Sequence, residues 1–215
     1  MRLIYTTIIC CLFCISFSAS AQTSRLQALK DGVLVVRLTT NAKKVTYFDT
    51  VLRNPDLDEK AKTRFQKLKA DAIELRNINL VNVINGFKDS YTFSEYRFVL
   101  DTDIKQIDEG ITKGIFISPD TYELDESISL PAGKEVFYLR AGDYRNGSHP
   151  YFITGVVMNQ GFTDLPSRVF KTKVKFKERF STFAKSERDL LPIRARQTPK
   201  SLNDKLQSYY FRKNS

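Results

Sequence analysis

Val33-Leu34-Val35-Val36-Arg37-Leu38 follows the turn pair Asp31-Gly32. The run is short, rich in β-branched residues and bounded by a turn, and it does not alternate between apolar and polar positions. That pattern marks a strand buried on both faces. A strand of this kind needs helices to cover it, which points to an α/β layered domain. After it, Thr40 or Asn41 can cap a helix carrying Val45, Phe48 and Leu52 on one face. Asn54-Pro55-Asp56 then breaks the chain.

The next segment, Leu57 to about Asn85, is the strongest helical pattern. Leu57, Ala61, Phe65, Leu68, Ala72 and Leu75 recur at steps of three and four, and Ile73, Leu80, Ile84 and Phe87 form a second apolar line. At ~1.5 Å per residue such a helix runs roughly 40 Å, enough to cover a sheet face and extend past it. Phe65 and Leu68 are expected to be buried, and Gly86 is expected to cap the C-terminus.

Strands are expected at Tyr96–Leu100, Gly114–Ser118, Glu135–Arg140, Tyr151–Met158 and Arg168–Phe176, with a short helix from Ile104 to Glu109. Near the end, Thr198-Pro199 can start a helix with Leu202, Leu206, Tyr209 and Tyr210 on its apolar stripe. Between Glu178 and Gln197 no strong pattern stands out. The expected fold is a mixed β-sheet packed by a long helix, with an antiparallel C-terminal hairpin and a short C-terminal helix. Residues 22–177 form one α/β domain in this reading, and 178–215 a basic extension ending in an amphipathic helix.

Met1–Ala21 carries one charge, Arg2, then the apolar run Ile8-Ile9-Cys10-Cys11-Leu12-Phe13-Cys14-Ile15 and the small residues Ala19-Ser20-Ala21. This is the pattern of a secretory signal peptide cleaved after Ala21. A periplasmic protein is expected, with an extracellular one as the alternative. No further transmembrane segment is expected once the signal is removed. All three cysteines lie in the signal. The mature chain therefore has no disulfide, thiolate metal site or cysteine nucleophile.

Charge is uneven. Residues 167–215 hold 14 basic and 4 acidic residues, whereas residues 22–166 hold 19 basic and 20 acidic. The basicity belongs to the last quarter of the chain, which suggests an interaction arm or face. Within it Lys171, Lys173, Lys175 and Lys177 alternate with Phe170, Thr172, Val174 and Phe176. A strand would put the four lysines on one face. They form either a face for an anionic partner or a charged edge that discourages strand pairing. Nucleic acid is disfavoured, because the aromatic residues of this strand point inward and leave no stacking platform.

Catalytic motifs are few. Phe98-Val99-Leu100-Asp101-Thr102-Asp103 resembles the first motif of haloacid-dehalogenase-like phosphotransferases, with Ile115-Phe116-Ile117-Ser118 as a second motif and Asp143 as an acidic third. The resemblance implies a nucleophile at Asp101 and a general acid/base at Asp103. Only 17 residues separate Asp101 from Ser118, too few for that family's intervening crossovers and cap. The simpler reading has Asp101 or Thr102 capping the short helix. His149 is the only histidine, so a His-based zinc site or a Ser–His–Asp triad has little to draw on. Phosphate-loop and dinucleotide fingerprints are absent. No cofactor or metal is expected.

Four stretches together resemble a group of small exported Bacteroidota proteins of unknown function. They are Gly32–Leu38, the long helix leading to Asn85-Gly86-Phe87, Tyr96-Arg97-Phe98-Val99, and Gly155-Val156-Val157-Met158 running to Leu165-Pro166. The resemblance implies an exported α/β domain and carries no catalytic residues. The expected function is a non-enzymatic binding protein of the cell envelope, with an anionic envelope component or a protein as partner. The alternatives are a hydrolase using Asp101, Asp103 and Asp143, or a structural partner of an envelope complex docked through the basic C-terminal segment.

Overall fold

The computed structural model describes residues 24–145, 152–159, 170–173 and 187–214. The signal segment 1–21, His149, Lys175 and Lys177 lie outside them. Eleven elements follow in order. Helix α1 spans 24–31, strand β1 Val33–Leu38, helix α2 Ala42–Leu52 and helix α3 Glu59–Ser90. Strand β2 (Glu95–Leu100), helix α4 (Ile104–Asp108), strand β3 (Phe116–Ile117) and strand β4 (Val136–Arg145) come next. Strands β5 (Phe152–Met158) and β6 (Lys171–Lys173) and helix α5 (Glu187–Asn214) complete the described chain.

The strands form one sheet in the order β3-β2-β1-β4-β5-β6. β1 is central and parallel to both β2 and β4, while the β2–β3, β4–β5 and β5–β6 pairs are antiparallel. This is the mixed sheet with an antiparallel C-terminal hairpin that the sequence predicts. Alternation along the strands splits the core into two layers. Leu34, Val36, Leu38, Phe98, Phe137 and Leu139 face helices α3 and α5. Val35, Val99 and Tyr138 face α4 and the loop bearing Ile115, Ile128 and Leu130. β1 is buried on both faces, as its unbroken apolar run requires.

The long helix differs from expectation in which half meets the sheet. Val83, Ile84, Gly86 and Phe87 are buried, but Leu68 is 37% exposed and Phe65 only partly buried. The Leu57–Leu75 line packs on α2, with the rings of Phe48 and Phe65 at 6.2 Å. The second apolar line packs on the sheet.

Gly86 is not a cap. The helix continues to Ser90, and α5 crosses it at Gly86.

α5 also begins earlier than the Thr198-Pro199 signal suggests, and both Pro192 and Pro199 lie inside it. Leu202 and Leu206 are fully buried in the same core as the sheet. The helical part of the basic C-terminal segment is thus a layer of the domain. Its end is tied to α1: the Tyr210 hydroxyl donates to Gln27 at 3.0 Å, and the Lys30 ammonium lies over the rings of Phe93 and Tyr210. α1 itself, with Leu26 and Leu29 buried, has no counterpart in the sequence reading.

Candidate functional site

The carboxyl ends of β1 and β2 lie level at one edge of the sheet, while β4, parallel to β1, runs on past them to Arg145. In open α/β sheets this is the edge that binds ligands. Asp101, just past β2, is committed there to structure. Its amide donates to the Leu38 carbonyl at 2.8 Å. Its Oδ1 accepts from both the Thr40 amide, at 3.0 Å, and the Thr40 hydroxyl. Oδ2 lies 3.9 Å from an Arg37 nitrogen. Asp101 therefore staples the ends of β1 and β2 together, and neither it nor Thr102 caps α4. The N-cap position belongs to Asp103, whose side chain makes no capping bond and accepts from the Gln106 side chain at 3.2 Å. Thr40 accepts the Ala42 amide at 3.2 Å, so α2 also starts from this staple.

Asp143 stands on β4, in the stretch between Ala141 and Tyr144 where the ladder shifts register. β3 pairs antiparallel with β2, Ile117 opposite Phe98. Ser118 therefore falls level with Arg97, four residues and about 13 Å along β2 from Asp101. The Ser118 hydroxyl accepts the Asp120 amide at 3.3 Å and shapes a turn. The phosphotransferase-like arrangement needs Ser118 beside Asp101, and the antiparallel register forbids it.

On the same face, Tyr138 donates to Asp108 at 3.0 Å. Burial, with the Asp108 carboxylate beside it, pushes the Tyr138 hydroxyl well above the usual tyrosine range. This pair holds α4 against the sheet. Among the described residues no group of three or more His, Cys, Asp or Glu is placed to hold a metal ion.

A helical arm rises from this edge. The Asn41 side chain donates to the Ala72 carbonyl at 3.4 Å and marks its base. Between Thr40 and Ala72 the one buried side chain is Phe48. The Lys69–Asp49 ion pair at 2.5 Å joins the two helices. Lys62 pairs with Glu59, while Lys43, Lys44, Arg53, Lys60, Arg64 and Lys67 have no ion-pair partner among the described residues. Lys60, Arg64 and Lys67 share one exposed face of α3 at steps of four and three. No sequence signal placed these cations on a projecting element. The Leu57–Leu75 periodicity had assigned this half of the helix to the core.

No protein-family model, curated protein or solved structure matches this chain.

The lysine face is partly within view. Lys171 and Lys173 stand on β6, the edge strand of the sheet. Phe170 and Thr172, which precede and separate them, are buried. Among the described residues no helix is long and apolar enough to cross a membrane.

Replacing Asp101 by Asn is expected to cost about 1.5–3 kcal/mol, because bonds to a charged acceptor are lost or weakened at a largely buried group. Urea unfolding measures this. A change under about 0.5 kcal/mol, typical of surface substitutions, would show that the staple is dispensable.

Proposed function

We propose that this chain is an exported, non-enzymatic binding protein of the cell envelope, periplasmic in location, which engages an anionic partner through the arm of α2 and α3. The arm carries the reading. Residues 41–71 leave the body of the domain with Phe48 as their single buried side chain and so contribute little to the core. They hold eight basic and five acidic residues, and six of the cations have no ion-pair partner among the described residues. Unpaired like charges on one element repel each other, and an opposite surface relieves that repulsion. The engagement of Asp101 by Thr40 and Arg37 weighs against a carboxylate nucleophile at this edge. The signal-like segment Met1–Ala21 accounts for the location. Lys171 and Lys173 add basic residues on the edge strand, where they serve equally to block strand pairing.

The test is retention of the mature chain on an envelope fraction. The parent chain is expected to bind at 0.1 M salt and to elute toward 1 M, as the Debye length falls from ~10 Å to ~3 Å. A Lys60→Gln, Arg64→Gln, Lys67→Gln variant is expected to keep its fold and lose most of the retention. Undiminished retention of that variant would remove the arm from the account. A Lys171→Gln, Lys173→Gln variant is expected to bind as the parent does.

A further inference from the structure

With the arm of α2 and α3 taken as the binding surface, on which this rests, we propose that its partner is a bilayer surface of anionic phospholipid, and that Tyr47 and Leu68 enter it. Three contacts fix how the two helices face each other. Phe48 packs on Phe65, the Asn41 side chain reaches the Ala72 carbonyl, and Lys69 pairs with Asp49. The ion pair marks one flank of the seam between the helices. At ~100° per residue, Asp49 sits ~100° round from Phe48 and Lys69 ~40° round from Phe65, both toward that flank. Tyr47 then lies ~100° from Phe48 and Leu68 ~60° from Phe65 in the other direction. These two side chains share the flank opposite the ion pair.

Charge divides along the same line. On the Tyr47 side, Lys44 and Val51 lie ~40° and ~60° from Phe48, and Arg64 lies ~100° from Phe65. Lys43, Lys60 and Lys67 follow further round the same flank, all exposed. Of the six arm cations without an ion-pair partner among the described residues, only Arg53 is not in this group. The two ion-paired lysines, Lys62 and Lys69, fall on the opposite flank with Asp49 and Glu59. Asp71 is the one carboxylate that the helical turn places among the five cations.

The apolar groups among these cations decide which anionic partner fits. Tyr47 is 58% exposed, with its ring 5.7 Å from that of Phe48 at the border of the seam. Leu68 is exposed beside Arg64, and Val51 is half-buried. Cations for the headgroups and apolar side chains for the acyl boundary are the two parts of interfacial membrane binding. Tyrosine, apolar in body and polar at its tip, suits that depth. Lysine stems lie along apolar neighbours while their ammonium heads reach outward. A polysaccharide would engage the cations and leave Leu68 without a role. Protein interfaces are depleted in lysine, whereas four of the five cations here are lysines.

The probes are vesicles of phosphatidylcholine mixed with phosphatidylglycerol, and vesicles of phosphatidylcholine alone, co-sedimented with the full mature chain. Binding to the anionic vesicles and little to the neutral ones is expected. A Tyr47→Gln, Leu68→Gln variant keeps every cation, and is expected to fold as the parent does by circular dichroism and to bind about tenfold more weakly. Residues 22–215 contain no cysteine, so Tyr47→Cys carries an environment-sensitive fluorophore at one position. Its emission is expected to shift to the blue with anionic vesicles, while a label at Gln66→Cys, exposed on the other flank, is expected not to shift. No sedimentation with anionic vesicles, equal sedimentation with neutral ones, undiminished binding by the folded double variant, or equal shifts from the two labels would each overturn the proposal. Envelope retention measured in parallel separates it from the reading on which it rests. Retention that needs the arm cations, in a chain that ignores anionic vesicles, overturns the bilayer and keeps the arm, whereas retention that does not need them overturns both.

Discussion

Phe87→Ala is expected to destabilise the fold by about 3–5 kcal/mol, a large part of the stability of a domain this size. Phe87 is fully buried where α3 meets the sheet. Its ring lies 5.2 Å from that of Tyr91, 5.5 Å from Tyr96 and 5.7 Å from Phe98, measured between centroids. Truncation removes the apolar area of the ring and its contacts with three aromatic neighbours, and leaves a cavity that backbone on both sides prevents from closing. The same helix supplies the control. Leu68→Ala, on the arm and 37% exposed, is expected to change stability by no more than about 0.5 kcal/mol. Chemical denaturation of both variants measures the contrast. Equal losses at the two positions would show that the core half of α3 has been misassigned.

Gly86→Ala is expected to reverse the usual sign of its substitution. In an exposed helix, glycine to alanine gains about 1 kcal/mol of propensity. Here a Cβ would lie 2.5 Å from the Ala195 carbonyl oxygen and 3.0 Å from both Arg196 Cα and Pro199 Cγ. Two of these three atoms are backbone and cannot rotate away, so α5 must move off α3. The net cost is expected to be about 1–3 kcal/mol, the range for overpacking a closed contact. Pro199 explains the closeness. It has no amide hydrogen to offer the carbonyl four residues earlier, that of Ala195, and this carbonyl is the one that faces Gly86. A Gly86→Ala variant as stable as its parent would mean that the two helices do not cross this closely.

The contact also shows where the sequence was legible and where it was not. Val33–Leu38 was readable to the residue, because an unbroken β-branched run has few alternatives once a turn precedes it. The existence of α3 was equally plain. Its packing was not, since three- and four-residue periodicity shows that a face is covered without showing by what. Phe65 faces Phe48 on α2, and Phe87 faces the sheet, yet both fit the same helical pattern. Pro199 read as a helix start because proline is common there. Only the crossing with Gly86, 113 positions away, explains a proline inside the helix.

The site was legible in the same partial way. Asp101 stood out at the end of an apolar strand, but its partner Thr40 lies 61 residues earlier and no local pattern links them. The cations of α3 were hidden by the assumption that the whole helix serves the core.

The central claim is that the arm of α2 and α3 is the surface this protein offers to its partner. Site-specific photo-crosslinking of the exported protein in its own envelope tests it most directly. A crosslinking residue at Thr63, exposed beside the Lys60–Arg64–Lys67 face and uncharged, leaves the cations in place. One at Glu126, exposed on the loop over the opposite face of the sheet, is the control. The account predicts a discrete adduct from position 63 that is lost at high salt, and none from position 126. An adduct from position 126 alone, or none from position 63 while the parent chain remains bound to the envelope, would contradict it.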